Sequence, residues 1–461
     1  MKTRILSLCL AGVMLLSTGL TASAARVSGS AAPKTTTSHE WAVAPVSGNL
    51  SFDQIGGKVR ANNLTVKSLD ETIQSMEAMN WDKVIDEMED AIDDLEDKME
   101  TITDGAVEEL AKASMELGNT LASINSIEAY LASLKNITDG LVNVSIASST
   151  LVYGKAQLAT LESTLEDLED QLDDLKEQKK DYNEKTLPDT KRQIESSVNQ
   201  IIIGAESLYM TILSTELQKE SLGDTAAALD RTVAEMELRY ERGQISQMTL
   251  TQVKNGVGTL KANAASLDVA LTSLYSSLQS LLGETITGTM TLSALPTVTA
   301  AEITAVSYTK DLEKAKEASY DLYAAARTVE DAEDDMEDAR KENGKNSYQY
   351  KMAQHTYEAA LLSEKSAVQN FELSFQRLYN QLSPALALCT TAENDLAYEE
   401  QVYQVAQLKH QQGNLSANAL ADARDTWETA KRDYASAQMD LFTAWHNYQN
   451  AVTRGVVTSG S

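Results

Sequence analysis

The chain is predicted to be all-α, built from long antiparallel coiled-coil helical hairpins in two tandem repeats, and three observations lead there. First, the stretch Arg239-Tyr-Glu-Arg-Gly243-Gln-Ile245-Ser246-Gln-Met-Thr-Leu250 recurs as Lys409-His-Gln-Gln-Gly413-Asn-Leu415-Ser416-Ala-Asn-Ala-Leu420, with Gly, Ile or Leu, Ser and Leu in register. A self-similar stretch between two helical patterns is the mark of a repeat architecture. Second, Ile85, Met88, Ile92, Leu95, Met99 and Ile102 step alternately by three and four, as do Leu161, Leu165, Leu168, Leu172 and Leu175. That is the spacing of a coiled-coil seam. Third, only five prolines punctuate a chain that is 43% hydrophobic and rich in the residues that lose least on entering a helix.

Met1 to Ala24 has a basic start (Lys2, Arg4), an apolar stretch from Ile5 to Leu20 and Ala22-Ser23-Ala24 as a small-residue cleavage site. It reads as a secretory signal peptide. Cys9 falls inside it, which leaves Cys389 alone in the exported protein and excludes an intramolecular disulfide. Residues 25–48 are small and polar, the composition of a flexible leader.

The formal charge of −29 argues against nucleic acid or an anionic membrane surface as a partner of the whole chain. The acids are distributed along helices, where they solubilise. Asp93-Asp94 and Asp173-Asp174 lack the alternating Asp and the Gly of a calcium loop. Four histidines, His39, His355, His410 and His446, show no metal-ligand spacing, and no phosphate loop or nucleophile elbow is present. The chain reads as a non-enzyme without cofactor or metal.

The first repeat is placed at 49–284. It opens at Leu50-Ser-Phe52-Asp53-Gln-Ile55, with Asp53 in a first helical turn, and contains an additional acidic helical hairpin at about 76–150. Reversals are expected at Thr103-Asp104-Gly105, Thr138-Asp139-Gly140 and Glu184-Lys-Thr-Leu-Pro188-Asp189, where Gly and Pro punctuate the pattern.

At the recurring stretch, Gly243 ends one helix in the left-handed conformation, and Ser246 caps the next. Ile245 and Leu250 fit a hydrophobic staple across the cap. Arg239 lies in the last turn, where a cation suits the helix dipole. Gly413, Ser416, Leu415, Leu420 and Lys409 hold the same places in the second copy. Residues 285–307, with Ser293-Ala-Leu-Pro296, read as an extended linker, and the second repeat follows at 308–454 with a tail at 455–461. Asn343-Gly344-Lys-Asn346 marks its reversal, and about 65 helical residues beyond it would span on the order of 100 Å, an elongated rod. Pro384 is expected to bend that helix.

This order of features is similar to that of the TolC-like outer membrane efflux proteins. The resemblance is carried by the opening Leu-Ser-Phe-Asp-Gln segment followed by Ala61-Asn62-Asn63-Leu64, by an R-Y-x-x-G-x-[IL]-S-x-x-x-L hairpin with its Ala-rich return helix, and by a Pro-containing linker and a second copy of the same plan, which opens Lys409-His410 in place of R-Y. It implies a homotrimer forming a helical tube in the cell envelope, an efflux or type I export component. Its hairpin tips, Arg239, Gly243, Ile245, Ser246 and Leu250 with Lys409, Gly413, Leu415, Ser416 and Leu420, would meet a periplasmic-adaptor-like (membrane fusion) protein coupled to an inner-membrane pump. One departure is large. Membrane strands of about 9–11 residues would belong where this chain has only 341–348 and 183–189, so the β-barrel is expected to be missing. The location implied is the outer membrane, or the cell wall in an organism without one. A non-conducting coiled-coil structural or adhesive protein of the envelope is the alternative.

Overall fold

The computed structural model describes residues 49–103 and 151–457, with side chains for 49–97 and 161–457. The expected signal peptide and leader, the reversals after Thr103 and at 138–140, and residues 458–461 lie outside them. The described chain runs as β1 (Asn49–Leu50), a 3-10 turn (Phe52–Gln54), α1 (Ile55–Asn62), α2 (Leu64–Glu77), α3 (Trp81–Thr103), α4 (Leu151–Asp181), a π-turn (Tyr182–Thr186) and α5 (Leu187–Glu241). After these come α6 (Gln247–Leu281), β2 (Thr291–Leu292), α7 (Ala300–Thr304), α8 (Tyr308–Ala318), α9 (Tyr320–Asn343), α10 (Tyr348–Gln411) and α11 (Ala417–Arg454). The fold is all-α, as its periodicity predicts, and among the described residues β1 and β2 are the only strands. No described helix is long and apolar enough to cross a membrane. The residues form two compact units.

One unit lies within 72–190. Here α3 packs on α4, so the two seams read from the sequence meet each other. Val84, Ile85, Met88 and Leu95 are buried on α3, and Leu161, Leu168 and Leu175 on α4. Ion pairs from Lys176 to Glu89 (2.7 Å) and from Lys179 to Asp82 flank the seam.

The reversal expected at Glu184–Asp189 is not found. Backbone stays helical from Leu151 to Glu241, with the Leu187 N–H donating to the Tyr182 carbonyl across the π-turn. A proline clashes with the carbonyl four residues before it, and the extra residue of a π-turn widens the helix where Pro188 would meet Glu184. The helix tolerates the proline by local widening. Tyr182 also anchors the turn, its hydroxyl donating to the Met76 carbonyl at 2.8 Å and its ring 5.5 Å from that of Trp81.

The other unit comprises residues 49–71 and 191–457. Four long helices lie side by side in the order α6, α5, α11, α10, as cross-helix contacts establish. Lys254–Glu237 (2.6 Å) and Lys261–Asp230 (2.8 Å) join α6 to α5, and Arg231–Asp425 and Arg432–Asp224 join α5 to α11. Tyr403 stacked on Trp427 (5.1 Å) and Phe375 against Tyr448 (5.3 Å) join α10 to α11. Farther along, α9 lies on α10 and α8 on α11. Pro384 sits inside the 64-residue α10, which continues through it.

The expected plain linker at 285–307 carries structure of its own. Thr291–Leu292 pairs in parallel with Asn49–Leu50, and α7 follows with Thr299 and Glu302 forming a capping box. The fully buried Gln279 orders the preceding loop, accepting from the N–H groups of Thr287 (2.8 Å) and Gly288 (3.0 Å) and donating to the Thr289 carbonyl (2.9 Å). One buried amide therefore replaces the regular ladder that the loop lacks.

Candidate functional site

The two glycine turns are built by the same hydrogen bonds. Gly243 has φ +71°, and its N–H donates to the Tyr240 carbonyl while that of Gln244 donates to Arg239, both at 2.8 Å. Gly413 has φ +73°, with its N–H on the His410 carbonyl at 2.9 Å and that of Asn414 on Lys409 at 2.8 Å. Each is a Schellman closure, in which a left-handed residue satisfies carbonyls that the helix end would leave unpaired. The chain then enters its return helix at a serine. Ser246 accepts from the Thr249 N–H at 3.2 Å, and Ser416 from that of Ala419 at 3.1 Å.

Around these turns, Ile245, Leu415 and Leu420 are half-buried and Leu250 is buried. Both cations assigned to the helix ends are exposed. Arg239 pairs with Glu235 one turn back, and Lys409 is exposed in the last turn of α10. A side-chain bond closes each tip, from the Tyr240 hydroxyl to Gln247 in one and between His410 Nδ1 and the Leu415 carbonyl (2.8 Å) in the other. Leu238 and Met248 at one tip and Leu408 at the other are exposed. Each turn therefore presents a rigid polar loop flanked by solvent-facing apolar side chains.

Sequence reasoning missed a larger feature. Along α10, Phe371, Phe375, Leu378 and Leu382 are buried, while Tyr348, Met352, Leu362, Leu373, Leu388, Tyr398, Val402 and Val405 are exposed. At 100° per residue these eight fall within an arc of about 100°, roughly opposite the buried set, and span on the order of 85 Å, while Leu361, Tyr379 and Leu408, also exposed, lie outside that arc. An exposed apolar surface of this extent marks an interaction site. Its signal in the sequence was a second set of large apolar residues on α10, which heptad counting assigns to core.

A buried polar cluster fixes α5 to α11 near the opposite end from the tips. Glu206, 4% exposed, meets Arg454 (2.7 and 3.0 Å) and His446 Nε2 (2.9 Å). Phe52 stands edge-on to His446 and Phe442, both at 4.8 Å. Burial alone would raise the Glu206 carboxyl, but hydrogen bonds from His446 and Arg454 outweigh it and hold the group below its ordinary value. Tyr209 donates its hydroxyl to the carbonyls of Leu50 and Ser293, and burial pushes its phenol up to about 12. Tyr448 likewise donates to Asp311 at 3.0 Å, with its phenol raised by burial.

These contacts occupy the titratable groups in holding helices together. Among the described residues, no group of His, Cys, Asp and Glu is arranged to hold a metal. His355 is exposed near Glu358 (3.6 Å).

No protein-family model matches the chain, and no curated protein does. Among solved structures it is similar to the outer membrane channel CmeC of Campylobacter jejuni, at 9% identity and a TM-score of 0.44 over 61% of this chain and 68% of that one. It is also similar to the outer membrane protein VceC of Vibrio cholerae, at 14% identity and 0.41 over 58% and 73%. A third is the MtrE outer membrane channel of Neisseria gonorrhoeae, at 13% and 0.38 over 58% and 69%.

Proposed function

We propose that this protein is an export or efflux component of the cell envelope, a helical tube made by association of several copies, whose glycine tips dock an adaptor. The observation that carries the proposal is the exposed apolar stripe of α10. In the layer α6, α5, α11, α10 both outer helices keep a solvent face, with Met248 and Val269 exposed on α6. Unlike edges associate head to tail, and such contacts close into rings when the rotation permits. The occupant we assign to the stripe from Leu362 onward, leaving out Tyr348 and Met352 at the start of α10, is therefore the α6 edge of a second copy. Three copies and the adaptor at the tips follow from the sequence resemblance, and the two tandem repeats at 49–284 and 308–454 from the recurring glycine stretch.

Light scattering of the exported chain in detergent-free buffer tests this reading. A trimer that falls to a monomer in the variant Leu388→Glu with Val402→Glu is expected. A monomer in the unaltered protein would overturn the tube and favour the structural or adhesive envelope protein. The docking role is tested separately by a photo-crosslinker at position 238, exposed at the tip and off the α6 edge, which should capture the adaptor when both are co-expressed.

A further inference from the structure

Chain-wide acidity argues against broad adhesion to anionic surfaces, but one hairpin turn of the unit containing residues 191–457 reverses the sign. The turn between α9 and α10 carries Arg340, Lys341, Lys345 and Lys351, all exposed, against the single acid Glu342. Gly344 at φ +79° closes α9, and Ser347 caps α10 by accepting from the Tyr350 N–H at 3.0 Å, so these cations sit on a built hairpin end. Lys341 also meets Asp338 at 3.0 Å. Just behind, the stretch from Glu330 to Asp338 carries seven acids. Charge thus changes sign along the hairpin.

The same end projects two apolar side chains. Tyr348 is 76% exposed and Met352 58%, one helical turn apart at the start of α10. Aromatic rings with a polar tip settle at the boundary between headgroups and acyl chains, and basic side chains beside them meet lipid phosphates.

We propose that the α9–α10 turn is a docking end for an anionic lipid surface, met end-on, with Arg340, Lys345 and Lys351 on phosphates and Tyr348 and Met352 in the interfacial layer. A soluble polyanion would use the cations and leave the two apolar residues in water, which is why lipid is the occupant. The acids from Glu330 onward oppose any approach along the length of α9. The inference does not depend on self-association.

The test is flotation of the full chain with vesicles of equal parts phosphatidylglycerol and phosphatidylcholine, and with phosphatidylcholine alone. Binding should require the anionic lipid and fall with salt. Each cation near such a surface contributes about a fivefold gain in partitioning, so K345E/K351E should weaken binding at least about tenfold, while Y348S/M352S should weaken it without changing the salt dependence. Comparing variants of the same full chain removes the contribution of its apolar N-terminal stretch. Equal flotation of K345E/K351E and the unaltered chain would overturn the proposal, as would binding to inorganic polyphosphate without binding to vesicles. Tyr348→Trp gives an independent readout that keeps every charge. Quenching of its added fluorescence by brominated anionic lipid is expected, and no added quenching would overturn the assignment.

Discussion

Glycine has two separate uses here, and substitutions distinguish them. At Gly243 an added Cβ would meet nothing within 4 Å, so only the backbone conformation, φ +71°, demands glycine. A non-glycine residue held there costs about 1–3 kcal/mol. At Gly283, with φ +64°, a Cβ would also lie 2.2 Å from the Asn62 carbonyl oxygen, a backbone atom that cannot swing aside. G283A should therefore lower the melting temperature clearly more than G243A, and equal melting temperatures by circular dichroism would refute the distinction. Glu206 supplies a pH dependence. Its folded-state value is depressed below the ordinary 4.5, so its stabilisation is present above that value and is lost as pH falls through the depressed one. E206Q should remove this acid-side loss and, by weakening the partners of Arg454 and His446, cost about 1–3 kcal/mol at neutral pH. An unaltered acid melting profile in E206Q would exclude the role.

Elements differ in how far the sequence discloses them. The heptads of α3 and α4 are local in period and are readable, as are the glycine tips, whose hydrogen bonds span a few residues. The pairing of α3 with α4 is a long-range choice that periodicity leaves open. Burial of Leu168 in that seam gives a test. L168A should cost about 2–5 kcal/mol and lower the melting of the 72–190 unit, leaving the layer of α5, α6, α10 and α11 at its original midpoint. A single transition shifted as a whole would show the units to be coupled. Pro188 signals a break because proline usually ends a helix, yet the penalty attaches to one carbonyl, and a π-turn moves that carbonyl. The exposed stripe of α10 was illegible for a related reason. Apolar residues at helical spacing announce a face to be covered, and the spacing is the same whether the cover comes from the same chain or another. Polar positions such as Asn63, which caps α2 through the N–H groups of Thr65 and Val66 and reaches the Leu281 carbonyl at 2.7 Å, give no periodic signal.

For the whole molecule, the open layer makes association the measurable property. Adding L388E and V402E places charges on the α10 stripe and leaves α6 intact, so the apparent mass should drop without loss of helix. Retention of the full mass would locate the interface elsewhere. Such a variant has a further property that follows from having two unlike edges. Its α6 side can still be taken up by the α10 side of an unaltered copy, but nothing can follow it. Co-expressed with the unaltered chain it would act as a terminator, spoiling assemblies in proportion to its share of the pool, and its defect would be inherited as dominant.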